Sequence, residues 1–106
     1  MNNRQKFCFE WQERNFPNTD ATEQLLGVME EVGELTHAHL KGLQKIRHTP
    51  QEIREKKIDS VGDILVYLAN YCSREDLVME KCWDAAIEEI KKRDWINNPL
   101  SGKSIS

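Results

Sequence analysis

The sequence predicts an all-α fold, a four-helix bundle with short connections. Three observations carry this. Apolar residues recur at helical spacing along most of the 106 residues. The three prolines, Pro17, Pro50 and Pro99, fall where periodic segments start or stop. Strand signals are weak: Ile64 to Leu68 is apolar enough for a buried strand, but Asp59 and Asp63 flank it at helical spacing and the pattern continues on both sides.

The first helix is expected over about residues 3 to 15, with Phe7 and Trp11 on one face. Asn15, Pro17 and Asn18 break it. The second starts near Asp20, which stands at capping-box spacing from Glu23. Leu25, Val28, Val32, Leu35 and Leu43 give it an apolar stripe, and it fades near Gly42 to Lys45. The third has the clearest start: Thr49-Pro50-Gln51-Glu52 supplies a cap, a proline in the first turn and a reciprocal glutamate. Its apolar side is Ile53, Ile58, Val61, Leu65, Leu68 and Cys72. A break at Ser73 to Asp76 leads to a fourth helix over about 75 to 94, with Met79, Trp83, Ala86, Ile87 and Ile90 on one face and Trp83 expected in the core. Residues 97 to 106 read as a tail, and residues 1 to 106 as one domain.

Composition narrows the function classes. Fifteen basic against 18 acidic side chains give a net charge of −3, so nothing attracts a nucleic acid polymer globally. No apolar stretch reaches the roughly 18 residues of a membrane span, and Met1 to Lys6 is polar, so a cytoplasmic location is expected. Cys8, Cys72 and Cys82 are odd in number, lack C-x-x-C spacing and read as reduced core thiols.

Carboxylates interrupt the two most apolar helices. One reads Glu30-Glu31-Val32-Gly33-Glu34, the other Asp59-Ser60-Val61-Gly62-Asp63. Glu31 and Glu34 share a helix face, as do Asp59 and Asp63. Antiparallel packing would bring up to four carboxylates together, and like charges so placed call for a proton or a cation between them. Hard divalent ions such as Mg²⁺ take oxygen ligands and often hold phosphates at the same time. Gly33 and Gly62 lie inside the clusters; each costs about 1 kcal/mol against alanine in a helix, which close backbone approach or room for a ligand would offset. Glu34-x-x-His37 has half of a di-iron carboxylate pattern, but the third helix carries no histidine.

These residues resemble the MazG-type all-α nucleoside triphosphate pyrophosphohydrolases, whose pattern is Glu-Glu-x-x-Glu, a spacer, then Glu-x-x-Asp. Glu30-Glu31-x-x-Glu34 matches the first half and Asp63 the final aspartate. Glu34 to Lys41, Gly62 to Leu68, and Lys92-Arg93-Asp94-Trp95 with Asn98-Pro99 are also similar, so the likeness spans about residues 5 to 99. It departs at Ser60, where the family carries glutamate, with Asp59 beside it as the replacement. The resemblance implies a MazG-like bundle that cleaves a nucleoside triphosphate to monophosphate and pyrophosphate. It implies Mg²⁺ (or Mn²⁺) on Glu31, Glu34, Asp63 and Asp59, and Glu30 orienting or deprotonating water. Lys41, Lys92 and Arg93 are the candidate phosphate contacts, and Trp11 and Trp95 the candidate base platforms. The family's usual assembly makes a homodimer or homotetramer the expectation. The competing expectation is a non-catalytic helical interaction module or a degenerate family member, which Ser60 keeps open.

Overall fold

Each helix begins where a side chain takes up free backbone N–H groups, and four helices result: α1 (Asn3–Asn15), α2 (Ala21–Gln44), α3 (Pro50–Arg74) and α4 (Met79–Lys91). The computed structural model describes residues 2–103. Among these no strand forms, only one isolated bridge between Arg93 and Lys103. Asn2 caps α1 and Asp20 caps α2. Thr49 and Glu52 close both halves of the expected capping box on α3, with Pro50 in the first turn.

α2 ends on Lys45 in the left-handed region (φ 57°), and a short connection turns the chain into α3. The two long helices form the main packing unit, and they run antiparallel. Gly27 abuts Tyr67, Glu31 feels the Asp63 charge, and Gly42 faces Ile53, so one helix is read forward as the other is read backward. α1 lies against α3.

The fourth helix differs from its expected span. It starts at Met79 rather than near 75, because Asp76 enters the left-handed region (φ 56°) and ends α3 instead of capping a new helix. Val78, at the cap position, offers no side-chain bond. Gln5 from α1 does that work across the fold. Its Oε1 accepts from Met79 N at 2.9 Å, while its Nε2 donates to Leu77 O at 2.8 Å and to Ser73 Oγ at 3.1 Å. Gln5 is buried, so these bonds replace water completely. Gln5→Leu strands the Leu77 carbonyl and Met79 N–H, and thermal denaturation of the variant should show a loss of about 1–3 kcal/mol.

The expected apolar stripes form, but one chain does not bury them. Among the described residues the buried apolar ones are Ala38, Ile53, Ala69 and Cys72. Leu25, Val32, Leu43, Ile58, Val61 and Leu65 are exposed, and α4 has no buried residue. Trp83, expected in the core, is 66% exposed. Of the thiols, all free, only Cys72 is buried, and Cys82 is exposed. The radius of gyration is 17.8 Å, against about 13 Å for a compact chain of this length. Residues 97–103 fold into hydrogen-bonded turns: Asp94 N donates to Gly102 O and Gly102 N to Asn98 O, both at 2.7 Å, with Trp95 packed over Gly102. No helix among the described residues is long and apolar enough to cross a membrane.

Candidate functional site

Glu30, Glu31 and Glu34 occupy adjacent turns of α2, and an oxygen of each lies within 4.8 Å of the others. Glu30 and Glu34 are exposed, whereas Glu31 is 8% exposed and its Oε2 is buried with no partner. Burial pushes the Glu31 carboxyl above the usual glutamate range, and the charges of Glu34 and Asp63 push it the same way. Asp63, exposed on α3, lines the same cavity as Glu31, outside the group of three whose oxygens lie within 4.8 Å of one another.

Asp59 does not join it. It is exposed, and it is not among the carboxylates that act on Glu31 or Tyr67. Ser60, one residue on, is the buried position. The buried positions of α3 are Ile53, Ser60, Ala69, Asn70 and Cys72, with Tyr67 half-buried, and Asp59 is not among them.

Glu31 and Asp63 line a cavity of about 460 Å³, a size typical of small-molecule sites. Trp11 and Phe16 line it too, their rings 5.8 Å apart and tilted by 56°. Gln12, Thr19, Glu23, Gln24, Val66 and Tyr67 complete the lining. Trp11, a candidate base platform from the sequence, lines this cavity. Trp95, Lys41, Lys92 and Arg93 are not on this cavity: Trp95 covers Gly102, Lys41 bonds Gln44 at 2.9 Å, Lys92 pairs with Glu89 at 3.4 Å, and Arg93 bridges to Lys103.

Sequence reasoning missed Tyr67, Gln12 and Gln24. Tyr67 carried a legible signal, since it stands one turn beyond Asp63 on the same face. Burial and the four nearby carboxylates, Glu30 foremost, raise its hydroxyl above the usual tyrosine range, so it stays a protonated donor beside the acidic cluster. The ring packs on Gly27, where a Cβ would overlap its ring atoms. Gly33 and Gly62, by contrast, have nothing within 4 Å of an added Cβ, so neither serves close approach within the chain. Gly27→Val forces Tyr67 off α2; the variant should lose about 1–3 kcal/mol in chemical denaturation.

Among known proteins, no family model, no curated protein and no solved structure matches this chain.

Proposed function

We propose that the chain hydrolyses nucleoside triphosphates to the monophosphate and pyrophosphate, as its MazG-like motif implies. The observation that carries this reading is the Glu31 carboxyl, buried with an unpartnered oxygen under the charges of Glu34 and Asp63, on a cavity that Trp11 also lines. A buried acceptor among like charges fits a divalent cation, because a cation both partners the oxygen and relieves the repulsion. Glu31, Glu34 and Asp63 would hold it, Mg²⁺ or Mn²⁺. Such an ion neutralises phosphate charge and acidifies water when bound.

The chain's own residues supply the rest. Glu30, exposed within the cluster, would orient water and take its proton. The Tyr67 hydroxyl donates to an anion beside the carboxylates. Trp11 and Phe16 offer aromatic faces to a base. Removal of surplus or modified nucleotides in the cytoplasm is the role this chemistry serves. The exposed apolar faces of α1, α3 and α4 support assembly into a homodimer or homotetramer.

The test resolves products from a panel of ribo- and deoxyribonucleoside triphosphates incubated with Mg²⁺ or with EDTA. Metal-dependent monophosphate and pyrophosphate are expected. Diphosphate and phosphate would refute the cleavage position, and no product from folded protein would refute the enzyme. The exposed side of α4 favours a second reading, a helical interaction module. A module's melting temperature would ignore Mg²⁺ and nucleotides, whereas the enzyme's rises with both.

A further inference from the structure

We propose that a second copy of this chain covers one side of the α2–α3 pair, so that four helices, two from each copy, close around a shared apolar core. This contact rests on the assembly reading and names its face; hydrolysis is a separate matter. The register of the pair defines the side. Gln24, Glu31 and Ala38, seven apart, are the buried positions of α2. On α3, Tyr67 meets Gly27 and Ile53 meets Gly42, while Ser60, midway between them, is buried. A helix turns about 100° per residue, so the residue after each of these positions comes out on one side and the residue before it on the other. Because the helices run antiparallel, the two following sets share a side of the pair, and so do the two preceding sets. The preceding sets include Glu23, Glu30 and Asp59, and Glu34 and Asp63 extend them at helical spacing. The following sets include Leu25, Val32 and Val61, and Leu43, Ile58 and Leu65 extend those.

One side of the pair therefore carries the carboxylates, and the other carries large apolar side chains that are all exposed. α2 has no Asp, Glu, Lys or Arg on the apolar side: Glu23, Glu30, Glu34 and Lys41 follow one another along the opposite side, and Glu31 is buried against α3. Beyond Lys57, α3 has none there either. A face without charge gives a charged partner nothing to pair with, and carboxylates on the reverse work against an anionic bilayer. The face does match itself. A two-fold axis stacks the apolar side of one pair on that of the next, which is the packing of a four-helix bundle. The surface to be covered is large enough. The chain exposes 8294 Å², about a third more than a monomer of its mass should. Leu65 also lines the groove between α1, α3 and α4 with Phe7 and Trp83, so face and groove make one continuous contact. The carboxylates stay on the outer sides of such an assembly, and joining the copies brings no like charges together.

Size exclusion with light scattering on the wild-type protein and its variants tests the face. The wild type should elute at a multiple of 12.4 kDa. Leu25→Glu and Leu43→Glu change side chains that are 45% and 69% exposed in the single chain, so both variants should keep their helix content by circular dichroism. Each should associate at least about 30-fold more weakly, because the charge is buried unpaired and enters a two-fold contact twice. Leu43→Ala only shortens the side chain; it should weaken association in the same direction and keeps the test decisive if a glutamate variant fails to fold. Leu26→Glu alters a neighbour of Leu25 that is 63% exposed but stands two positions after Gln24, on the outer edge of α2, and should leave the mass unchanged. Undiminished association of Leu25→Glu and Leu43→Glu overturns the face while the assembly reading stands. Equal dissociation of Leu26→Glu overturns the face as well. A wild-type monomer overturns both the face and the assembly, and leaves the apolar side to a different protein.

Discussion

Glu31→Gln should lower metal-dependent turnover at least about 100-fold and, in EDTA, make the protein more stable at neutral pH. Both effects come from one carboxyl. Glu31 is buried among Glu30, Glu34 and Asp63, and its proton is held above the ordinary value of 4.5. Between 4.5 and the raised folded value, the folded chain keeps the proton and the unfolded chain has lost it. Stability from this group is therefore complete below pH 4.5 and is lost as pH rises through the folded value. Glutamine has no proton to lose. In EDTA the melting temperature of Glu31→Gln should match wild type near pH 4 and exceed it at pH 7.5. Mg²⁺ should raise the wild-type value at pH 7.5 and leave the variant unmoved. A wild-type melting temperature in EDTA that climbs steadily from pH 4.5 to 7.5 would show that Glu31 is not under repulsion.

In the assembly we propose, Trp83→Asp should leave a 12.4 kDa monomer on size exclusion with light scattering. The described chain exposes 8294 Å², against about 6,100 Å² for a monomer of its mass. The excess, about 2,200 Å², lies in the range that one partner contributes to a large obligate interface. Much of it is apolar: Trp83, Ile87 and Ile90 on α4, Phe7 on α1 and Leu65 on α3 are all exposed. Trp83, Phe7 and Leu65 also line one groove of about 950 Å³ between these helices. A buried tryptophan anchor is worth 2 kcal/mol or more in roughly this setting, and aspartate adds an unpaired charge. Wild-type protein that already elutes at the monomer mass would refute the assembly.

Local signals made the fold legible, and distant ones did not. Thr49, Pro50 and Glu52 define the start of α3 because the whole capping box lies within four residues. The start of α4 was misplaced because its first N–H is satisfied by Gln5, in a different helix, and no local pattern announces that bond. The acidic site divides the same way. Glu31 and Glu34 share a face by their i,i+3 spacing, and Asp63 is singled out only by the MazG-like motif. The choice between Asp59 and Ser60 depends on the direction from which α2 meets α3; helical periodicity alone allowed Asp59, while the packed register buries Ser60. Gln12 and Gln24 were invisible because a buried glutamine is recognisable only from what surrounds it.

The placement of glycine bears on how the protein could be improved. Gly33 and Gly62 stand mid-helix with open space where a side chain would go, while Lys45, Arg47 and Asp76 hold left-handed backbone that suits glycine. For a chain tuned to be stable alone this is the reverse of the best arrangement. Gly33→Ala with Gly62→Ala, combined with Lys45→Gly, should raise resistance to heat by about 1–3 kcal/mol in total. Such a thermostabilised chain also reports on what the open spaces are for. If the two alanines harden the helices while weakening assembly or turnover, the glycines were keeping clearance for another surface; if both properties persist, the same triple substitution is a ready scaffold for engineering.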